Sequence, residues 1–261
     1  MDAPAPIDAE ALRAALAGGG TIAGRMFAGA EWPAVAGEEA RFVDCRFAGI
    51  RFVDGRLAGA RFEDCRFLRC RFAHADLQDA RFERCTFVDP DAPAEGCSFA
   101  FSDLRAAAFA ACDLSFARFD RCDLFSIDME GCNLRGATFT QVEFARAFGR
   151  KVTVTRARFA RCNLELAMMA GARLPDCELA GSRLREADLR EADLRRADLR
   201  DCDLVQALLG DTRLDGADLR GADLGGLVLT DLAGFAGIRI RAGQQYPLLS
   251  ALGVDIHPDP A

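Results

Sequence analysis

A large apolar residue recurs at every fifth position from Phe42 to Phe87, and again from Phe99 to Leu229. The stretch LREADLREADLRRADLRDCDL, around Leu189, Leu194 and Leu199, shows the pattern at its barest. An α-helix advances about 100° per residue, so a step of five would spiral the leucines around it. A flat strand has period two and would alternate them between its faces. A chain that turns a corner every five residues points each central residue, position i, inward. The residue at i−2 then shares its side, as it does in extended chain, while i−1, i+1 and i+2 face water. Ten centres fall in the first register and 27 in the second, all Leu, Phe, Met or Val except Gly149. Ile22, Phe27 and Trp32 fit the first register, so the coil is expected to begin near residue 21. Phe87 and Phe99 are 12 apart, two more than two pentads, and the surplus predicts an exposed loop at 88–96.

All eleven cysteines occupy i−2 positions, where alanine is otherwise the commonest residue. They therefore read as small buried residues interchangeable with alanine. Zinc would require clustered, ligand-like spacing, usually with histidine, which the pattern lacks. An odd number of buried thiols also fits a reducing compartment.

The ends drop the pattern. IDAEALRAALAGGG predicts a short helix with Asp8 as cap, Ile7, Leu12 and Leu16 on one side, and Gly18 as stop, lidding the first coil. GQQYPLLSALG predicts a C-terminal helix of about three turns, with Pro247 near its start and Gly253 at its end. Its apolar residues either lid the coil or pair with a second copy, and GVDI would then add an edge strand.

Composition is 51% hydrophobic, enough for a sizeable core, and net charge is −7. That balance argues against direct binding to nucleic-acid phosphates. Charge is uneven: residues 41–87 carry +3 and residues 176–231 carry −6. No apolar run approaches a membrane span, and the N-terminus lacks the layout of a secretion signal; a cytoplasmic chain is expected. His74 and His257 are the only histidines, and neither has an identifiable catalytic partner. No nucleophile elbow, P-loop or dinucleotide fingerprint is present. A binding protein, not an enzyme, without metal or cofactor, is expected.

The pentads, with AADL-like units at Asp188, Asp193 and Asn133, resemble the pentapeptide-repeat family, whose consensus reads A(D/N)LXX. The resemblance implies an all-β solenoid: a right-handed quadrilateral β-helix with 20 residues per coil, about nine coils long, a short N-terminal capping helix and a C-terminal helix. The chain then divides into a cap at 1–20, a repeat rod at 21–232 and a C-terminal segment at 233–261. Asp or Asn at i−1 can bond backbone amides at the corners. In the first block Arg takes i−1 in eight of ten pentads, a departure that makes the outer wall basic. Phenylalanine dominates the centres up to Phe159 and leucine from Leu164, which implies a bore grading from fatter to slimmer coils. In a four-sided coil Cys45, Cys65 and Cys85 would stack one coil apart, within range of disulfide formation under harsh oxidation.

The tail narrows the resemblance. Ile240, Gln244, Leu248, Leu252, Gly253 and Val254 follow the C-terminal dimerisation pattern of the Qnr quinolone-resistance proteins and, less closely, MfpA. The stretch around loop 88–96, with its GCSF restart and CDLS pentad, is similar to the Qnr region where a loop leaves the rod. Such proteins form dimers that mimic DNA, engage DNA gyrase or topoisomerase IV, and protect it from quinolones or related poisons, giving antibiotic resistance. The resemblance implies a homodimer through Tyr246, Leu248, Leu249, Leu252 and Val254, and a topoisomerase contact at Asp89, Pro90, Asp91, Pro93 and Glu95. The family's second, larger loop is not evident, since residues 139–159 stay in register. Phe148 and Met168 would stack there at outward i−1 sites, and with Arg150 and Lys151 they form either a substitute contact patch or an ordinary irregular coil. The +3 block counts against DNA mimicry as a complete explanation. The alternative is a pentapeptide-repeat scaffold for another protein partner.

Overall fold

The computed structural model describes residues 9–17, 20–29, 31–32, 37–148, 152–255 and 257. Each pentad is extended around its centre and turns at i+2, where the backbone enters the left-handed region: φ is 51° at Asp44, 53° at Asp64 and His74, and 51° at Arg84. L-residues rarely adopt that conformation, and short polar side chains tolerate it best. Four such corners close one coil. Residues 20 apart then pair in parallel, as Thr21, Arg41, Arg61 and Arg81 do on the first face. That face forms a seven-stranded parallel sheet. Single bridges from Arg158 to Glu178, Asp198, Asp218 and Arg239 carry it on. The rod is therefore a four-sided β-solenoid, and its first face stacks ten centres from Ile22 to Leu219.

The interior is what the period dictates. Centres such as Phe42, Phe62, Leu104 and Leu189 are inaccessible to solvent or nearly so. Phe42, Phe62, Phe82 and Phe109 stack with ring centroids 4.9, 4.8 and 4.6 Å apart and planes within 7°. This spacing is imposed by the inter-strand distance of about 4.8 Å, and it leaves the rings in stacked contact. All eleven cysteines are free and buried. Six of them, Cys45, Cys65, Cys85, Cys112, Cys132 and Cys162, line one inner corner. Each thiol donates to the carbonyl of a centre one coil back, such as Phe62 (3.3 Å) or Met129 (3.3 Å). Burial pushes the Cys122 and Cys202 thiols up to about 12.

The corner role expected of Asp and Asn at i−1 is present. Asp188 Oδ1 accepts the backbone N–H of Arg190 at 3.2 Å, and Asn163 Oδ1 that of Glu165 at 3.2 Å. Where arginine stands at i+1, its guanidinium also grips the same carboxylate, as in Arg190–Asp188, Arg195–Asp193, Arg200–Asp198 and Arg220–Asp218.

Helix α1 (Ala9–Ala17) is held to the rod through Leu12, which is 2% exposed and joins the hydrophobic core. Its expected cap Asp8 and stop Gly18 lie outside the described residues. At the other end a 3-10 turn, Leu229–Asp231, adds one residue, after which the wall resumes. Gly234 bridges Arg213 and Arg239 bridges Asp218, so Phe235 and Ile240 act as two further centres beyond residue 232. A second 3-10 turn, Ala242–Gln244, leads into helix α2 (Gln245–Ala251), and Gly253, at φ 78°, follows it in the left-handed region. Val254 and Asp255 form no strand, and Ile256 lies outside the described residues, so the edge strand expected from GVDI is not found among the described residues.

Candidate functional site

Three features depart from the bare rod: two hairpins and the C-terminal end. The first hairpin pairs Val88–Asp89 with Ala92–Gly96 in antiparallel fashion. It leaves the corner after Phe87 and returns at Cys97, whose N–H bonds the Phe87 carbonyl at 3.1 Å. Gly96 makes the return possible, because a Cβ there would lie 2.4 Å from the backbone of Phe116 and Ala117. Val88 is buried against the wall beside Leu68, an outward residue that the hairpin covers. Pro90, Asp91, Pro93 and Glu95 are exposed. Asp89 is not: it is 3% exposed, forms an ion pair with Arg69 at 2.9 Å, and accepts the Asp91 N–H at 3.0 Å. It anchors the hairpin and presents little of itself to a partner.

The second hairpin overturns the expectation of an uninterrupted wall at 139–159. Ala145–Phe148 pairs antiparallel with Val152–Thr155. Across it the register step between neighbouring coils is 30 residues, as in Asp128 to Arg158 and Asn133 to Asn163. The ten extra residues equal two pentads, so the projection leaves the phase of the repeat intact. Val154, paired with Arg146 in the hairpin, is consequently not a centre of the coil, and Gly149 lies outside the described residues. Nor are residues 148 and 168 neighbours on adjacent coils: Phe148 pairs with Val152 along the hairpin, whereas Met168 pairs with Thr138 and Asp188 and is 55% exposed. Arg150 and Lys151 lie outside the described residues. Arg146, within the hairpin, pairs with Asp123 and sits 5.9 Å from the Phe125 ring.

At the C-terminal end, Leu248 is 4% exposed and packs into the core, so it serves as a lid. Tyr246, Leu249, Leu252 and Val254 remain exposed together with Phe235. Phe235 escaped the sequence reading because the one-residue turn at 229–231 moves it out of phase. Gln244 holds the segment to the rod. Its Oε1 accepts the N–H groups of Gly221 (3.0 Å) and Arg241 (2.7 Å), and its Nε2 donates to Leu219 and Ala222. Among the described residues no group of three or more His, Cys, Asp or Glu is placed to hold a metal ion, and no helix is long and apolar enough to cross a membrane.

A family model described as pentapeptide repeats matches residues 56–87, 112–148, 122–165, 162–201 and 197–231, more than half of the sequence. This chain belongs to the pentapeptide-repeat family. Its four-sided rod superposes on full-length QnrB1, a plasmid-mediated fluoroquinolone resistance protein, with a TM-score of 0.74 at 26% identity, covering 80% of this chain and 97% of that one. A trypsin-treated QnrB1 variant gives 0.74 at 25% identity, covering 82% and 99%, and a second gives 0.72 at 25% with the same coverage. No curated protein sequence matches this pentapeptide-repeat chain.

Proposed function

We propose that this protein is a cytoplasmic, non-enzymatic, DNA-mimicking binding protein that engages DNA gyrase or topoisomerase IV and protects it from quinolones or related poisons. The observation that carries the reading is the near-complete coverage of QnrB1, a fluoroquinolone resistance protein, by a rod with the same repeat fold. Two projecting hairpins and an apolar C-terminal end support it. The exposed tip of the first hairpin, Pro90, Asp91, Pro93 and Glu95, is the topoisomerase contact. The second hairpin takes the place of the patch read from the sequence, with Met168 exposed on the wall.

The terminal end forms the homodimer. Tyr246, Leu249, Leu252 and Val254, with Phe235, are apolar and exposed around the lid, and a second copy of the same end is the self-complementary way to cover them. Acidic mimicry resides in the distal half of the rod. There Glu186, Glu191, Asp211, Asp215 and Asp223 carry no ion pair among the described residues, whereas the i−1 aspartates are largely clamped by arginine. A narrow acidic rod suits a saddle built for a polyanion.

The test is DNA gyrase cleavage and supercoiling with ciprofloxacin, with and without the protein. Rescue or inhibition at stoichiometric excess is expected. A protein without effect that also fails to co-purify with either topoisomerase would leave the scaffold reading. Replacing residues 90–95 by Gly-Gly should abolish protection and leave the rod folded, and truncation after Arg241 should give monomers by light scattering.

A further inference from the structure

A cleft of about 410 Å³ opens between the first hairpin and the face of the rod on which Arg71, Ser98 and Arg118 pair, lined by these three with Arg69, Phe116 and the hairpin residue Glu95. Arg69 is already committed to Asp89. Arg71 and Arg118 are exposed, and neither pairs with a carboxylate among the described residues. The register sets them on either side of Ser98, one coil below it and one above. Their backbones are thus about 10 Å apart, two coil spacings, within reach of two long side chains converging on one group. Elsewhere in the same column Arg51 is satisfied by Glu31 at 2.9 Å, and beyond Arg118 the column continues with Thr138.

Two unsatisfied guanidiniums in a recess with a protein wall on one side attract an anion more strongly than they would on an open surface. Their planar forks match a carboxylate, and the Ser98 hydroxyl between them can donate as well. The site is a point and not a track. A duplex needs cations repeated along its backbone, and this column supplies two before turning neutral at both ends. The Phe116 ring adds an apolar wall suited to the methylenes of an acidic side chain. We propose that the cleft binds an acidic peptide segment of a partner protein, seating an aspartate or glutamate carboxylate between Arg71 and Arg118. This deepens the topoisomerase reading by naming the chemistry taken up beside the contact hairpin, but its test requires no topoisomerase.

The probe is a fluorescein-labelled Gly-Glu-Glu-Phe-Glu-Gly peptide, with a Gln-for-Glu counterpart, titrated with the full chain at low salt and followed by anisotropy. The acidic peptide should bind and the Gln peptide should not. Arg71→Ala/Arg118→Ala should weaken binding by about tenfold or more, while Arg183→Ala/Arg213→Ala, on distant coils, leaves it unchanged. Glu95→Gln should tighten it by removing a like charge from the rim. Undiminished binding by Arg71→Ala/Arg118→Ala overturns the proposal. So does equal binding of the Gln peptide, or displacement by duplex DNA at lower concentration than by unlabelled peptide. Peptide binding by a protein inert towards both topoisomerases would keep the cleft and remove the topoisomerase reading.

Discussion

The side-chain amide of Gln244 lies 2.8 Å from the Leu219 carbonyl and 2.7 Å from that of Ala222, while its oxygen accepts two backbone N–H groups. One side chain thereby supplies part of the hydrogen bonding that another coil would have given to the end of the rod. Gln244→Ala leaves those groups to water or to nothing. It should lower stability to chemical denaturation by about 1–3 kcal/mol and loosen the attachment of α2. Hydrogen exchange of the Leu248 and Leu249 amides is the local readout; unchanged protection there would show that Leu248 packing alone holds the lid.

Gly96 is required by space. A methyl group at this position would meet the backbone of Phe116 and Ala117 at 2.4 Å, and backbone cannot swing aside as a side-chain tip can. Gly96→Ala should cost about 1–3 kcal/mol, the range for overpacking a fixed site. It should also displace the hairpin and expose Leu68 and Val88, so increased binding of a hydrophobic dye is expected. A variant as stable as the parent would mean that the return strand can shift without consequence.

The rod was legible in the sequence because each centre is buried whatever its neighbours, and one burial period therefore runs the length of the chain. The projections were legible only when they disturbed that period. The first hairpin adds two residues beyond whole pentads and declared itself; the second adds ten and kept Phe144 and Phe159 in phase. Local signs were present in Gly149 and in the period-two run Val152-Thr153-Val154-Thr155, which a strand accommodates better than a pentad corner does. The burial of Asp89 could not be read locally, because its partner Arg69 stands one coil away at a corner. Phe235 was hidden by a single inserted residue at the 3-10 turn.

The cysteine corner should be chemically quiet. Each of its six thiols donates to a carbonyl one coil back, and in the same column Ser182 makes the equivalent bond to Phe159 at 2.6 Å. Cys65→Ser and Cys65→Ala should therefore stay within about 1.5 kcal/mol of the parent, whereas Cys65→Leu, which overfills the corner, should cost about 1–3 kcal/mol. Thiol titration of the native protein should detect almost none of the eleven cysteines, and all of them in denaturant. Rapid reaction in the native state would show that the coils open locally.

Acid sensitivity should reside in the clamped aspartates of the distal half. The Arg220 guanidinium grips Asp218 through Nε and Nη2, at 2.8 and 2.7 Å, and holds its carboxyl down at about 2. Asp188 and Asp198 are lowered in the same way by Arg190 and Arg200. A carboxylate whose folded pKa lies below its unfolded value of about 3.9 contributes stability that is complete above the unfolded value. That contribution is lost as pH falls through the folded value, so the window for Asp218 runs from about pH 4 to pH 2. Arg220→Ala should be less stable than the parent by a constant margin from pH 7 to about pH 5, with the margin narrowing below pH 4 as the parent loses the same interaction. Denaturation midpoints measured across that range decide the matter: a margin still undiminished at pH 2 would place the stabilisation by Arg220 in packing of its side chain, not in its charge.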